Sequence, residues 1–319
     1  MSYKVCIPTA GIGSRVDKFS RGLNKSLIEI ENKPAICYII EKYSKESEFI
    51  ILLGYKGYEV KQFLKLAYPK NIFKFIDVDL FEGEGSGLGY TLLKAKNFLQ
   101  EPFVFNSCDS IVEGKIPTLD SNWMGFSIRK DNNQYRTIYE QDGIVKKIND
   151  KKEVSSSQKA YIGVAGIKDY SSFWKNLTIH NREFINEGES LGLKNLLSEG
   201  IQAKPFKWFD TGNADELRKT RLYFSKNNSY NILEKQDESI WFVKDKVIKY
   251  SKDKYFIKNR VKRANFLKDY IPKISNHSEN MYSYLKEDGE VLSSNLSTKK
   301  FIKLLEFLEN FWICKDLKK

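Results

Sequence analysis

The stretch of sequence that decides the fold runs from Val5 to Pro34 and reads VCIPTAGIGSRVDKFSRGLNKSLIEIENKP. It begins as a short apolar strand and continues into two glycines, Gly11 and Gly13, with Arg15 and Lys25 behind them. Glycine lets backbone N–H groups approach a phosphate because no Cβ intervenes. Arginine adds a rigid fork of donors and lysine adds a compact charge. The stretch therefore predicts a triphosphate-binding loop at the end of a buried strand.

Two common phosphate-binding motifs do not fit this stretch. No Gly-Lys-Ser/Thr sequence closes the loop, so it is not a P-loop, and no third glycine stands at the spacing of the dinucleotide fingerprint. A glycine turn that only closes a strand–helix unit, with Arg15 and Lys25 on the surface, is the structural alternative.

The order of these residues resembles the N-terminal signature of nucleotidyltransferases that make sugar nucleotides and related activated building blocks. That family usually has proline where this chain has Asn24 and glycine where it has Asn32, and neither change removes a phosphate ligand. The resemblance implies that Arg15 and Lys25 are catalytic. It also implies that four residues of the loop bind the nucleotide, namely Ala10, Gly11, Gly13 and Ser14.

Buried strands and helices alternate along residues 1–226, which we expect to form one nucleotidyltransferase domain. Strands are expected at 4–9, 48–53, 73–78, 103–108 and 161–167, and helices at 34–44, 58–66, 92–99 and 214–224. This alternation predicts an α/β fold with a Rossmann-like, mostly parallel mixed sheet that is covered on both faces. Ligands of such sheets bind at the C-terminal ends of the strands, and the glycine loop follows one of those ends.

A second glycine-rich segment, EGEGSGLGYT, covers residues 82–91. It resembles the second nucleotide loop of the same family, in which main-chain atoms contact the base and the ribose. The resemblance implies that Gly87, Leu88 and Gly89 lie near the base. A flexible surface loop is the alternative interpretation.

Two aspartates are the predicted metal ligands. Asp109 ends the strand at 103–108, and Asp210 lies in the sequence WFDTGN before a predicted helix. A carboxylate at the C-terminal end of a central strand suits Mg²⁺, which prefers oxygen ligands. The family resemblance implies that both aspartates hold one Mg²⁺ ion. The alternatives are that Asp109 caps a turn and that Asp210 caps the following helix.

The resemblance also implies an acceptor pocket. Asp150-Lys151 resembles the acid–lysine pair that precedes this pocket in the family, although the lysine could equally be Lys152. Gly163, in a buried strand, would let a small acceptor approach. Glu189 would be the acidic residue beside the acceptor.

After a polar linker at 227–238, the sequence pattern changes. Residues 239–319 are expected to form two strands, a helix at 258–270, a hairpin around Asp288-Gly289 and an apolar helix at 298–312. This small α+β domain resembles the N-terminal lobe of kinase-like phosphotransferases, such as choline and aminoglycoside kinases, with Lys249 at the phosphate-binding position. No glycine-rich loop precedes Lys249 and no His-x-Asp or Asp-Phe-Gly set follows it. We therefore expect this domain to dock to the nucleotidyltransferase domain, to a second copy or to a kinase lobe, without kinase activity of its own.

These features together predict a Mg²⁺-dependent nucleotidyltransferase. It would join an NTP, CTP or UTP, to a sugar 1-phosphate or a small phosphorylated alcohol, with release of pyrophosphate, and the resemblance implies a role in bacterial surface polysaccharide synthesis. One alternative is a GT-A glycosyltransferase that uses a nucleotide-sugar, with Asp77-Val78-Asp79 as its metal motif. The other is a non-catalytic nucleotide-binding scaffold.

Composition narrows the functional class. The chain has 319 residues, is 41% hydrophobic and carries a net charge of +12. In the linear order of the sequence, the basic residues do not form a stripe with interleaved aromatics, so no nucleic-acid partner is expected. The sequence contains no apolar run long enough for a transmembrane segment. Four scattered cysteines without metal or redox spacing are typical of a cytoplasmic protein.

Overall fold

The computed structural model describes residues 3–20, 22–151, 158–180, 182–225, 235–268, 270–289 and 292–312. The chain divides into two compact units, Met1–Leu285 and Lys286–Lys319. Within the described residues, no helix is long and apolar enough to cross a membrane.

Among the described residues of the first unit, nine strands form one mixed sheet. In order of pairing they are β5 (Ile72–Asp77), β4 (Glu48–Leu53), β1 (Lys4–Pro8), β6 (Phe103–Asn106), β11 (Lys159–Ile167), β8 (Asn122–Ile128), β12 (Ile201–Pro205), β10 (Ile144–Asn149) and β9 (Thr137–Gln141). The strands from β5 to β6 run parallel to one another, and β11 is antiparallel to β6 and to β8. The predicted α/β fold with a mixed sheet is confirmed, although only four of the nine strand pairings of this sheet among the described residues are parallel.

Helices cover this sheet on both faces. Successive residues of the central strands point to opposite sides of the sheet, so apolar strands make both of its faces apolar. In β1, Ile7 belongs to one apolar cluster and Cys6 to the other, and both are fully buried. The helices of the first unit are α1 (Asp17–Ser20), α2 (Ala35–Ile40), α3 (Gly57–Ala67), α4 (Leu88–Ala95), α5 (Tyr170–Phe173), α6 (Arg182–Glu187), α7 (Glu189–Asn195), α8 (Ala214–Phe224) and α9 (Lys254–Phe266).

Two short strand pairs lie outside the main sheet. The first pair is β2 (Glu29–Ile30) with β3 (Lys33–Pro34), and the second is β7 (Ser110–Glu113) with β13 (Lys207–Asp210). The second pair was not predicted from the sequence. Its antiparallel register places Asp210 opposite Ser110, so two segments that are far apart in sequence meet next to Asp109.

A four-stranded antiparallel sheet forms the end of the first unit. Its strands, in order of pairing, are β14 (Glu238–Val243), β15 (Lys246–Ser251), β17 (Met281–Leu285) and β16 (Ile274–His277). Trp241 is fully buried, and its ring lies 5.1 Å from the ring of Phe63 in α3. Lys246 Nζ also donates to the carbonyl of Leu66 at 3.0 Å. The first compact unit therefore includes this sheet. The predicted linker at 227–238, and with it a separate domain after the linker, stays a prediction.

The structure corrects two details of the C-terminal part. The predicted hairpin around Asp288-Gly289 is wrong, because β17 pairs with β16 through a turn at 278–280, and Leu292–Asn295 is a 3₁₀ helix. Helix α9 begins four residues earlier than predicted, because the carboxylate of Asp253 accepts from the backbone N–H groups of Tyr255 and Phe256 and so caps the helix. In the second unit, the predicted apolar helix is present as α10 (Thr298–Phe311).

Candidate active site

One cavity of ≈ 230 Å³ collects most of the predicted site residues. It lies beyond the C-terminal end of β6, and eight predicted residues line it: Arg15, Lys25, Leu88, Asp109, Lys151, Gly163, Glu189 and Asp210. They come from segments that are far apart in the sequence, and the fold brings them together beyond the end of this strand. Six predicted residues are not in its lining, namely Ala10, Gly11, Gly13, Ser14, Gly87 and Gly89. Lys152, the alternative to Lys151, lies outside the described residues.

The glycine loop packs against Lys25 in the wall of the cavity. Gly13 has φ +74°, and a Cβ at this position would lie 2.8 Å from Cβ of Lys25. A side chain there would therefore push the lysine away from its place in the cavity wall. Gly11 borders open space, because no atom lies within 4 Å of the position that a Cβ would take. Its backbone is therefore accessible to a ligand.

Asn24, at the position where the resemblance predicts a proline, holds this loop in place. Its side chain is fully buried and donates to the carbonyls of Thr9 (2.8 Å) and Tyr55 (2.6 Å). Its Oδ1 accepts from the backbone N–H of Ser26 at 2.9 Å. These contacts tie three segments together immediately beside Lys25.

Lys25 and Asp109 form an ion pair in the cavity wall, with Nζ 2.9 Å from Oδ2. Burial raises the pKa of Asp109, but Lys25, a hydrogen bond from Ser107 and the charge of Arg15 outweigh burial and lower it to about 2. Burial lowers the pKa of Lys25, whereas Asp109 raises it, and the net direction is upward. Both groups are therefore charged at neutral pH.

Asp210 faces the same space from β13. Its Oδ1 accepts from the backbone N–H of Gly212 at 2.7 Å, and its Oδ2 accepts from the hydroxyl of Tyr135 at 2.8 Å. A Cβ on Gly212 would lie 3.0 Å from Asp210 Oδ1 and 3.1 Å from Asp109 Oδ2, so the two carboxylates flank one glycine. Burial and the charge of Asp109 raise the pKa of Asp210.

The alternative roles of the two aspartates were the capping of a turn by Asp109 and the capping of helix α8 by Asp210. Helix α8 is capped by Asn213, whose side chain accepts from the N–H of Glu216 at 3.0 Å. Asp210 is thus free of the capping role that was the alternative. Asp109 does accept a local hydrogen bond from Ser107, but its other oxygen contacts Lys25.

The donor set suits a hard divalent cation. Asp109 and Asp210 supply carboxylate oxygens on one side of the cavity. Burial and then the charge of Asp109 raise the pKa of Asp210, and a cation would relieve the repulsion between the two carboxylates. Within the described residues, no group of three or more His, Cys, Asp and Glu side chains forms a metal cluster. Two carboxylates match an ion that keeps several waters and takes its other ligands from phosphates.

The far end of the cavity surrounds Glu189, which is 5% exposed at the start of α7. Among the described residues, neither its Oε2 nor the hydroxyl of Tyr161 has a hydrogen-bond partner with regular geometry, but the two groups are close enough for Tyr161 to lower the pKa of Glu189. Burial raises the pKa of Glu189 to about 7, although Arg136 and Lys151 act in the opposite direction. Burial, Arg136 and Arg15 lower the pKa of Lys151. This end therefore offers one titratable acid and two cations to a bound molecule.

Arg136 was not predicted from the sequence. It lines the cavity, and its guanidinium lies 3.4 Å from Asp150 and 4.0 Å from Glu187. Lys194 contacts the same two carboxylates, at 2.9 and 3.1 Å. This network joins the end of β10 to α6 and α7. Tyr135 and Ser107 were missed as well, because a lone Tyr, Ser or Arg in a loop carries no spacing signal.

Gly163 shapes the wall between the two ends. It interrupts β11 with φ +71°, at a shift in the pairing of β11 with β8. A Cβ there would lie 3.0 Å from Cβ of Ser107, whose N–H donates to the carbonyl of Gly163 at 2.8 Å. The glycine thus lets the strand approach the segment that carries Asp109.

Gly87 and Gly89 serve close packing in this structure. Added Cβ atoms would lie 2.1 Å from the carbonyl oxygen of Ile185 and 1.9 Å from that of Phe184. Both glycines therefore let α4 contact the backbone of α6, while Leu88 between them lines the cavity. Their predicted proximity to a base stays a prediction.

The alternative metal motif lies elsewhere. Asp77 ends the edge strand β5, and Asp79 binds Lys94 at 2.7 Å and the hydroxyl of Tyr90 at 2.8 Å. Neither aspartate lines the cavity that holds Asp109 and Asp210. The geometry favours the latter pair as the metal site.

Two curated relatives share sequence with the chain. A UTP–glucose-1-phosphate uridylyltransferase of Staphylococcus epidermidis is 28% identical over 140 residues, which cover 36% of this chain and 48% of the relative. The bifunctional protein GlmU of Methanococcus vannielii is 27% identical over 233 residues, or 68% of this chain and 54% of the relative. The chain thus spans about half the length of these curated relatives. No family model matches it.

Solved nucleotidyltransferases share the fold. UDP-glucose pyrophosphorylase in complex with UDP-glucose superposes with a TM-score of 0.58 at 16% identity, over 72% of this chain and 100% of that chain. CTP:phosphocholine cytidylyltransferase from Streptococcus pneumoniae superposes with a TM-score of 0.56 at 18% identity, over 70% and 99%. The resemblance to sugar-phosphate and phosphocholine nucleotidyltransferases is confirmed at the level of the fold. The resemblance of 239–319 to a kinase lobe stays a prediction.

Proposed function

We propose that the protein is a Mg²⁺-dependent nucleotidyltransferase that joins CTP or UTP to a sugar 1-phosphate or a small phosphorylated alcohol and releases pyrophosphate. The observation that carries this proposal is the convergence of Arg15, Lys25, Asp109 and Asp210 on one cavity at the C-terminal edge of the sheet. The relatives named above act on UTP, glucose 1-phosphate, CTP or phosphocholine, which supports the choice of nucleotide and acceptor.

The proposed chemistry is a substitution at phosphorus. An oxygen of the acceptor phosphate attacks the α-phosphorus of the NTP, the new P–O–P bond forms, and the bond to the β-phosphate breaks to release pyrophosphate. The acceptor phosphate is already ionised, so the reaction needs no general base. Catalysis then consists of positioning and of charge stabilisation in a site organised beforehand.

In this reaction, Lys25 and Arg15 are the cations that contact the triphosphate. The raised pKa of Lys25, which burial opposes and Asp109 causes, keeps it charged through the neutral range. We assign Lys25 to the α-phosphate and Arg15, with the backbone N–H groups of the loop from Ala10 to Ser14, to the β- and γ-phosphates. Their charges offset the negative charge that builds up on the leaving pyrophosphate.

Asp109 and Asp210 would hold the Mg²⁺ ion. When bound, the ion neutralises phosphate charge and brings the two substrates together. Tyr135 and Gly212 fix the carboxylate of Asp210, and Ser107 fixes that of Asp109. These contacts orient the oxygen ligands before a substrate arrives.

The acceptor would occupy the end of the cavity around Glu189, Lys151 and Gly163. Lys151 and Arg136 supply positive charge for its phosphate, and Glu189 offers an unpaired oxygen to a hydroxyl or amine at its other end. Gly87, Leu88 and Gly89 would lie beside the base, and Gly87 and Gly89 would keep close packing against α6 at the same time.

The deciding experiment is a matrix of four NTPs against a panel of phosphorylated acceptors, read by pyrophosphate release. We expect release only with a matched pyrimidine NTP and acceptor in the presence of Mg²⁺. Sugar transfer from a nucleotide-sugar without pyrophosphate release would establish the glycosyltransferase alternative. Nucleotide binding without any turnover would establish a scaffold.

For the chain beyond the linker, we propose docking without kinase activity. Lys249 pairs with Glu238 of the neighbouring strand β14 at 3.6 Å, and no helix glutamate contacts it among the described residues. We place the protein in the cytoplasm, in the synthesis of bacterial surface polysaccharides, and we assign 239–319 to contact with a second copy or with a kinase lobe. Phosphorylation of a small alcohol by the purified chain with ATP would disprove the absence of kinase activity.

A further inference from the structure

Helix α9 is strongly basic. Its thirteen residues, KYFIKNRVKRANF, contain five lysines and arginines and no acidic residue. Asp253 precedes the helix and is occupied as its N-cap. Such a helix attracts anions at long range, because no neighbouring carboxylate on the helix offsets its charge.

Three of the five charges of α9 lie on one side together with aromatic residues, whereas Arg260 packs over Phe256 on another side. Ile257 is buried against the body of the protein, at 1% exposure. Lys254, Lys258 and Lys262 follow at intervals of four residues, so they form one stripe along the helix. On the same outward side, Tyr255 is 75% exposed and Phe266 is 87% exposed.

A groove of ≈ 760 Å³ runs beside this stripe, between α9 and the first turns of α3. The three lysines of the stripe border it, and Tyr58, Gln62 and His277 form part of its other wall. Lys254 is paired with Glu279 at 2.6 Å, and Glu59 adds negative charge nearby. Within the described part of the chain, Lys258 and Lys262 form no ion pair. Lys258, Lys262 and the ring of Tyr255 thus line the groove, and Phe266 extends the exposed face at the C-terminal end of the helix.

We propose that this face, consisting of the outward side of α9 and the adjoining groove, docks onto a bilayer that contains anionic lipids. The charge of the face is complementary to such a surface, and each basic residue near it contributes about fivefold in partitioning. Exposed Tyr and Phe suit the interfacial layer of a bilayer, where lysine stems can extend toward the headgroups. This proposal does not depend on the nucleotidyltransferase reaction, because the active-site residues line a different cavity.

A bilayer fits this face better than a nucleic acid does. Binding of single strands uses aromatic rings as stacking platforms in a basic groove, but Phe266 lies at the end of the helix on its outer surface. α9 is also fixed by the fold, so it would rest on the bilayer without inserting deeply.

The test uses the full chain and large vesicles of phosphatidylcholine, with or without about 30% phosphatidylglycerol. At about 50 mM salt, we expect co-sedimentation only with the anionic vesicles, and weaker binding at about 500 mM. The variant K258E/K262E should bind the anionic vesicles more weakly than the wild type by a factor of about 20 or more. The uncharged change F266S should also reduce binding, because it removes an apolar contact.

The control K115E/K175E changes the net charge by the same amount at exposed lysines outside this face. It should bind anionic vesicles nearly as well as the wild-type chain, and thermal denaturation should show that all variants are folded. No binding of the wild type, or equal losses in both double variants, would overturn the proposal. Tighter binding of a mixed-sequence RNA than of the vesicles, lost in K258E/K262E, would overturn it in favour of a nucleic acid.

Discussion

Replacing Lys25 with alanine is the most direct test of the proposed chemistry. The ammonium lies 2.9 Å from Asp109, and the two side chains are 21% and 17% exposed at the cavity wall. Loss of one charge donor that is organised in advance lowers kcat by about 10²–10³. We expect a loss of this size for Lys25→Ala, with a much smaller change in KM for the NTP, because the charge is needed most as pyrophosphate leaves.

The same substitution affects stability. It leaves the carboxylate of Asp109 without its cation, and breaking a buried pair costs about 3–5 kcal/mol. The cavity admits water to both groups, so we expect a lower free energy of unfolding by about 1–2 kcal/mol. Urea denaturation measures this change and shows whether the variant is folded under assay conditions.

The assay is steady-state pyrophosphate release over a range of NTP concentrations. Lys33→Ala is the matched control, because Lys33 forms an ion pair of similar exposure with Glu41 outside the cavity. The control should keep kcat within about threefold. A Lys25 variant with normal kcat and only a raised KM would refute the reasoning, since Lys25 would then contribute to ground-state binding alone.

Three further predictions concern other parts of the site. Asp210→Asn should lower turnover by several orders of magnitude while the chain stays folded. Full activity of this variant, or full activity of the wild type in excess EDTA, would refute the metal assignment. Glu189 holds its proton more tightly in the folded state than in the unfolded chain, with a pKa of about 7 instead of 4.5, chiefly because of burial. Stability should therefore fall by up to about 3 kcal/mol as pH rises from 4.5 through 7, and Glu189→Gln should abolish this fall in thermal melts; an unchanged pH profile would contradict it. Gly89→Ala should lower Tm by several degrees because of the clash with α6, whereas Gly11→Ala should leave Tm unchanged and weaken NTP binding; equal Tm values for both variants would contradict the packing argument.

The sequence was informative wherever one segment carried its own signal. The apolar run of β1 and the glycine loop predicted both a buried strand and its ligand end, and β4 (Glu48–Leu53) has the predicted bounds. Asp109 was predicted because it follows the apolar run at 103–108, and it lies three residues beyond the end of β6. Asp210 was found through its resemblance to a family element, but the pairing of β7 with β13 that places it depends on contacts between segments that are distant in sequence.

Residues whose role depends on tertiary contacts were harder to find. Arg136 belongs to a charge network built from three separate elements, and no local spacing in the sequence indicates its role. The prediction of a hairpin at Asp288-Gly289 was wrong for the opposite reason. A strong local turn signal was present, but the weakly apolar strand β16 supplies the partner of β17 instead, and tertiary pairing prevailed over turn preference.

The contacts of Asn24 have a consequence for exchanging residues between related proteins. A proline stiffens a loop by restricting its own backbone, so it limits the freedom of the unfolded chain as well. The amide of Asn24 acts only once Thr9 and Tyr55 are in place, so the rigidity of this loop is acquired cooperatively during folding. A proline in place of Asn24 would remove both side-chain donors, so the buried carbonyl of Thr9 and the half-buried carbonyl of Tyr55 would lose these hydrogen bonds. The proline that the resemblance predicts would thus be a harmful replacement at this position of this chain.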